Sequence, residues 1–424
     1  MRLGYFFDLD HWHEIRAAAM RNRLRTALTA FGVFWGIFLL MVMLGSGAGL
    51  RNGILQGFGG GATNSFFLWT YRTQKAYAGL PAGRSIELGN ADVQAIRDKV
   101  PEAEVVAPRN QLGGFMGGNN VTRGRKAGAF SVTGDYPEIQ RIQSSRMVEG
   151  RFLNPLDLEE SRKVAVIGVR VREVLFERGE EAIGASIVIS GVYFQVIGVF
   201  ASSQTGEEGE RQTQAIFVPF TTFQRAFNFG DRVGWLAVIS RNDVPASVAE
   251  QKVLALLKQR HKVAPDDERA FGHWNLEEEF NKLQSLFGGI EILIWLVGAG
   301  TLAAGAIGVS NIMMIIVRER TKEIGIRRAV GARPWMVVTQ IVVETVMLTA
   351  AAGWFGMIGG IALIEGVGRF LPSGDGARMF TNPEVGLGAA LQALGILVFA
   401  GVLAGFAPAQ RALQVSPMVA LRSE

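Results

Sequence analysis

Cysteine is absent from all 424 residues, which excludes disulfides, thiolate nucleophiles and any Cys-ligated metal or iron–sulfur centre. Charged residues are scarce, at 19%, and the chain has only 4 histidines. No lysine follows a glycine, so the GxxxxGK[ST] loop that cradles nucleotide phosphates cannot be built from these residues. His11 and His13 stand two apart, on different helix faces, and belong to no HExxH pattern; His261 and His273 are isolated and read as exposed loop residues. No nucleophile elbow or carboxylate pair stands out. The expectation is a chain that is not an enzyme, with no catalytic residue, no metal site and no bound cofactor.

Apolar residues fill that space. They make up 49% of the chain, and 53 glycines accompany them, a combination that transmembrane helices tolerate better than soluble ones. Against a bilayer core of about 30 Å, which takes roughly 20 helical residues, four runs are long enough to span. Thr26 to Leu50, Ile292 to Val317 and Val385 to Gln410 are uncharged, and Trp335 to Ile364 is interrupted only by Glu344. The first run exceeds the roughly 7 to 15 residues of a signal-peptide core and is read as a retained span.

Basic residues near span ends set the orientation. Arg2, Arg16, Arg21, Arg23 and Arg25 precede the first span, and Arg318, Arg320, Lys322, Arg327, Arg328 and Arg333 join the second to the third. Both segments are expected in the cytoplasm, with both termini. The net charge of +5 therefore reads as topology, with no nucleic acid partner. The fold class is a membrane protein of four transmembrane α-helices with a large extracytoplasmic α+β domain between the first and second. The expected plan is a cytoplasmic amphipathic segment over 1–25, spans over 26–50, 286–317, 334–364 and 385–410, the outer domain over 51–285, a charged cytoplasmic segment over 318–333, a short outer loop over 365–384 and a cytoplasmic tail over 411–424.

Within the outer domain, Phe66 to Tyr71, Val164 to Gly168, Ile187 to Ile189, Tyr193 to Phe200, Ala215 to Val218 and Trp235 to Ser240 read as strands. Asn90 to Val100, Val169 to Arg178, Pro219 to Phe227 and Pro245 to Arg260 read as helices, the first capped by Asn90. Gly113 to Gly128 and Ser202 to Gln214 read as loops. Glycines at 45, 49, 53, 57 and 61 fit either a close helix–helix approach or a flexible exit from the membrane.

Two polar positions stand inside spans. Glu344 lies about ten residues, or roughly 15 Å, into the third span, deep enough to require a partner. With Ser310 and Asn311 near the same end of the second span, the expectation is that Glu344 faces the bundle and bonds Asn311 or a backbone group, as a packing residue, with a proton relay as the alternative. Beyond Val317 the apolar run breaks into RERTKEIGIRRAVGAR. Glu323 and Arg327 have the favourable i,i+4 order, Ile324, Ile326, Ala329 and Val330 add an apolar surface, and Gly331 offers a C-cap. A short amphipathic helix results, suited equally to membrane lipid or to a protein partner.

The stretch NIMMIIVRERTKEIGIRRAVGAR resembles the signature of the FtsX/MacB-like permease family of ABC transporters, in which a span ends in ERTxEIGxRxAxGA. Gln340 and Glu344 match that family's Q-x3-E spacing, and APAQRALQVSPMVALRSE resembles its C-terminal ending. EGRFL at Glu149 to Leu153, VAVIG at Val164 to Gly168 and RNRLRTALTAFGVFWG around the start of the first span resemble its outer domain and N-terminal helix. The resemblance implies a dimer with a second permease copy or a paralogue, in the bacterial inner membrane, and a cytoplasmic coupling helix seated in an ABC ATPase. Glu319, Arg320, Thr321, Glu323, Ile324, Gly325, Arg327 and Gly331 would form the coupling element, with Ile324 filling a groove of the ATPase. Exporters of this type carry a fused ATPase ahead of the first span, whereas 25 residues precede it here, so a separate ATPase using ATP and Mg is expected. The implied function is export or efflux by mechanotransmission to the outer domain, with a periplasmic adaptor and outer-membrane channel as further partners. The alternatives are a signalling subunit that regulates a cell-wall hydrolase, and a lipoprotein-releasing permease.

Overall fold

A computed structural model describes residues 23–56, 62–113, 119–143, 145–203, 206–370, 381 and 383–413. The amphipathic segment expected before residue 23, the tail beyond 413, Gly57, Gly61 and residues 371–380 of the expected outer loop lie outside the described residues. In chain order the elements are α1 (Arg23–Gln56), β1 (Ser65–Thr70), β2 (Leu88–Gly89), α2 (Asn90–Lys99), β3 (Ala103–Gln111), β4 (Asn119–Arg123), β5 (Lys126–Asp135), α3 (Ile139–Ile142), β6 (Ser145–Gly150), α4 (Pro155–Glu159), β7 (Val164–Gly168) and α5 (Val169–Leu175). There follow β8 (Ser186–Ile189), β9 (Val192–Ser202), α6 (Gly206–Thr213), β10 (Ala215–Pro219), α7 (Phe220–Ala226), β11 (Arg232–Val233), β12 (Trp235–Ser240), α8 (Ala246–Arg260) and β13 (Phe271–Asn275). The chain continues through α9 (Leu276–Glu319), α10 (Thr321–Ala329), α11 (Pro334–Phe370) and α12 (Leu387–Leu413). It divides into two units, one formed by Ile54–Ser285 and one by the chain before and after it.

Unit 54–285 is built on a mixed sheet that closes on itself. Strand β10 pairs in parallel with β5 and antiparallel with β7, so β5, β4, β8, β9, β7 and β10 follow one another around a ring. Val121, Phe130, Val132, Ile167, Phe194, Val196, Ile216, Val218 and Phe223 form the ring's buried core. Strand β3 leaves the ring beside β5 and leads an antiparallel flap in the order β3, β12, β1, β13. Helices α2 and α8 cover one face of the flap, burying Phe66, Leu68, Leu236 and Val238 against Ile96, Val253 and Leu257. Where flap meets ring, the Arg109 guanidinium grips the Asp135 carboxylate at 2.5 and 3.2 Å, both side chains buried, and lies over the Trp235 ring. A charge in that position tolerates burial only because it is paired and hydrogen-bonded.

The EGRFL motif acquires a structural role here. Arg151 clamps buried Asp157 at 2.6 and 3.0 Å, while Asp157 and Asn154 form a reciprocal capping box at the start of α4, with Pro155 at the first helical position. Glu149 pairs with Arg172 of α5 at 2.6 Å.

Several expectations change. Gly89, not Asn90, is the cap of α2; its N–H is accepted by Asp92, which the acidic-first-turn preference explains. The loop expected at Gly113 to Gly128 contains β4, the first residues of β5 and the tight turn between them, because pairing with neighbouring strands overrides the weak strand preference of its small and polar residues. Most of Ser202 to Gln214 is the short helix α6. His261 and His273 are not free loop residues: His261 Nε2 lies 2.9 Å from Asp92, and His273 Nδ1 lies against the buried Glu250 carboxylate. Burial opposes ionisation of Asp92, but hydrogen bonds with His261, Arg260 and the Gly89 N–H outweigh it and hold the carboxyl down at about 2.

Among its described residues, the other unit contains four helices long and apolar enough to cross a membrane: α1, α9, α11 and α12. Lipid supplies no hydrophobic drive between helices, so close backbone approach and satisfied polar groups must hold them together. Gly32 of α1 lies against Gly305 of α9. On α11, a Cβ added at Gly356 would stand 2.5 Å from the Phe34 carbonyl, and one at Gly360 would stand 2.7 Å from Met41, so these glycines let α1 approach. Thr345 and Thr349 of α11 face Gly405 and Gly401 of α12, and their hydroxyls bond back to the carbonyls of Ile341 and Thr345 at 2.8 and 3.0 Å. Helix α1 runs on to Gln56, so Gly45, Gly49 and Gly53 lie within a helix, and Gly45 meets Ile364 and Val385. That places all three in regular helix, with a close approach at Gly45.

Candidate functional site

The second span does not simply stop. Arg320 takes a non-helical conformation between α9 and α10, while its N–H still reaches the Ile316 carbonyl at 3.0 Å and its carbonyl accepts from Ile324 N–H at 3.0 Å. Thr321 opens α10, and its hydroxyl donates to Arg318 O at 2.7 Å and Val317 O at 3.2 Å, satisfying carbonyls that the break would strand. Nine residues later the helix closes: Ala332 N–H bonds Arg327 O at 3.0 Å and Gly331 N–H bonds Arg328 O at 3.2 Å. This is the Schellman arrangement, and it needs the φ of 106° that Gly331 supplies.

A helix of 3.6 residues per turn sorts the amphipathic sequence onto two faces. Arg320, Ile324 and Arg327 share one. Ile324 is 8% exposed and belongs to the same buried cluster as Met313, Val317, Val337 and Ile341 of the flanking spans; Gly325 is buried beside it. The expectation that Ile324 fills a partner's groove is therefore corrected, since its groove lies within its own bundle. Lys322, Ile326, Ala329 and Val330 share the other face, with Ile326 45% and Val330 84% exposed.

Charged groups fix the buried face in place. Arg327 pairs with Glu323 at 3.0 Å, as the i,i+4 spacing predicts, and donates to Gln340 of α11 at 3.1 Å. Arg320 meets Glu344 of α11 at 3.4 Å. Arg328 donates to the Leu413 carbonyl at the end of α12 at 2.9 Å, a cation at a helix C-terminus. A small cavity of about 30 Å³ remains between the Arg320, Glu323, Arg327, Gln340 and Glu344 side chains and the apolar wall of α9 and α11. Glu319 ends α9 and is exposed.

Glu344 faces the bundle as expected, but the partner it finds is Arg320. Asn311 is exposed on α9, more than two turns before Arg320. Nothing in the spacing of the chain singles out Arg320 from its basic neighbours, because its role depends on the break that turns it toward α11. The contact of Arg328 with Leu413 was equally invisible, since 85 residues separate the two.

Comparison with known proteins agrees with this architecture. Residues 26–256 match the MacB-like periplasmic core domain and residues 295–417 the FtsX-like permease C-terminal domain. The pyoverdine export ATP-binding/permease protein PvdT of Pseudomonas entomophila is 32% identical over 404 residues, which are 95% of this chain and 58% of that protein. The macrolide export ATP-binding/permease protein MacB of Wolinella succinogenes is 29% identical over 412 residues, 95% of this chain and 59% of its own length. The chain thus spans less than two thirds of these relatives. The crystal structure of the periplasmic region of MacB from Actinobacillus actinomycetemcomitans is similar over 55% of this chain and 97% of its own, with 20% identity and a TM-score of 0.43. With one domain match covering most of α1 and of the inserted unit, and the other running from within α9 through α10, α11 and α12, the chain belongs to the FtsX/MacB-like permease family of ABC transporters and is a multi-pass membrane protein.

Proposed function

We propose that this chain couples ATP hydrolysis, carried out by an ABC ATPase outside these 424 residues, to movement of its extracytoplasmic domain, and that the movement drives export. The observation that carries the reading is the division of α10: one face packed and ion-paired into the bundle, the other presenting Lys322, Ile326, Ala329 and Val330. Apolar side chains ringed by bases on a docked helix suit a protein groove better than solvent. In this reading α10 lies in the cytoplasm of a bacterial cell, beneath the inner membrane, and both termini are on that side, an orientation that the Arg and Lys clusters support. ATP and Mg are used by the ATPase, and this chain does no bond chemistry of its own. A second permease copy or paralogue completes the transporter, and a periplasmic adaptor and outer-membrane channel extend it. The names of PvdT and MacB, an exporter of pyoverdine and one of macrolides, support export as the direction.

Affinity purification from native membranes, followed by reconstitution in proteoliposomes, tests this. An ABC ATPase should co-purify, and substitution of its catalytic glutamate should abolish export by the complex. Export that persists without ATP hydrolysis, or a preparation containing no ABC ATPase, would overturn the proposal.

A further inference from the structure

Gln340 and Glu344 are four residues apart on α11 and so stand one turn above the other on a single face. Each is met by an arginine from the segment that enters α10: Arg320, which precedes its first turn, reaches Glu344 at 3.4 Å, and Arg327, from its last turn, reaches Gln340 at 3.1 Å. The two contacts thus grip α10 near both of its ends, and Ile324 is buried between them against Val337 and Ile341. On the other side α10 joins α9 through the non-helical Arg320.

We propose that Gln340 and Glu344 form a two-point clamp that makes α10 a rigid extension of α11. A helix held at one point can pivot about it; held at two points with a buried side chain between them, it can move only with the helix that holds it. Displacement imposed on α10 is then carried into α11. Glu344 and Gln340 are positioning residues in this scheme: they touch neither nucleotide nor substrate. The transmission role rests on the coupling reading above, but the clamp stands on its own geometry and can be measured with no ATPase present.

The absence of native cysteine makes the measurement direct. Spin labels are placed at Ala329→Cys on α10 and Ala351→Cys on α11, both exposed positions, in the full protein held in lipid nanodiscs. The parent should give one narrow interspin distance. Glu344→Gln combined with Gln340→Ala should lose that narrow peak to a broad distribution, and Arg320→Gln should broaden it from the other side of the pair. The exchanged pair Arg320→Glu with Glu344→Arg should recover a narrow peak, a rescue that mere filling of space by Glu344 would not predict. An unchanged narrow peak in the Glu344→Gln, Gln340→Ala protein, or no recovery in the exchanged pair, overturns the clamp. Either result leaves the coupling reading to be judged separately by ATPase capture through Ile326 and Val330.

Discussion

Replacing Ile326 and Val330 with serine should detach the ATPase without unfolding the permease, while replacing Ile324 should do the reverse. Full burial of a Val or Ile side chain is worth about 1.5–3 kcal/mol. Scaled by the 84% and 45% exposure that these two side chains have to lose, a groove that covers both gains roughly 2–4 kcal/mol from them. The double substitution should therefore weaken ATPase binding by about 30- to 1,000-fold, with unfolding free energy moved by no more than about 0.5 kcal/mol. Ile324→Ala removes a side chain that is only 8% exposed, and should cost about 2–4 kcal/mol of stability while leaving the affinity of the folded protein close to the parent's. The assay is titration of nanodisc-held variants with the co-purified ATPase by biolayer interferometry, beside thermal unfolding of the same samples. Affinity lost in Ile324→Ala at unchanged stability, with full binding by the Ile326, Val330 double variant, would refute the assignment of faces. So would transfer of the loss from the ATPase to anionic vesicles, which would make the exposed face a lipid surface.

Other outcomes follow from the packing. Gly356→Val forces branched carbons toward the Phe34 carbonyl, 2.5 Å from where the first would stand, and should destabilise the bundle by about 1–3 kcal/mol; Gly366→Ala, with open space around it, should not, and thermal unfolding in detergent compares them. Asp135→Ala leaves the buried Arg109 guanidinium unpaired and should cost about 3–5 kcal/mol in chemical unfolding, whereas the joint Arg109→Met, Asp135→Leu change should cost much less than the sum of the single changes. Asp92 titrates at about 2 when folded against a usual 3.8, a depressed value, so its contribution is present above about pH 4 and is lost as the pH falls through 2. Reduced for solvent screening at this partly exposed cluster, a depression of that size corresponds to roughly 2 kcal/mol. Asp92→Asn should therefore unfold more easily than the parent at pH 5, with the difference closing by pH 2; a constant difference across that range would show that ionisation of Asp92 is not responsible.

Much of this could be read from the chain because lipid and water sort residues one at a time. The long uncharged runs fall on the long described helices, with only Val385 and Gly386 of the last run preceding its helix, and the strands at Val164 to Gly168 and Trp235 to Ser240 fall where their apolar, β-branched runs place them. Strands β3 and β5 escaped notice because they carry buried polar residues whose partners lie far along the chain: Arg109 and Asp135 pair with each other, Asn110 bonds the Arg232 carbonyl and the Gly234 N–H, and Thr133 bonds the Ile216 carbonyl. The amphipathic character of α10 and its Glu323–Arg327 pair were visible, being local, but which apolar residue faces inward was not. Ile324 and Ile326 are chemically the same; only the angle at which α10 meets α9 and α11 assigns one to the core and the other to the outside.

The sequence by itself therefore determined the number of spans, the domain inserted between the first two, the short charged helix and, through the missing phosphate loop, that nucleotide cannot be bound here in the P-loop manner. Those features depend on composition and on neighbours within a turn or two. The tertiary structure alone decided that the inserted sheet closes into a ring, that Glu344 answers Arg320, and that Ile324 packs into the bundle while Ile326 and Val330 stay exposed. Each of these is a pairing between residues far apart in the chain, and its energy exists only once packing has brought both members together and removed the water that either could have chosen instead.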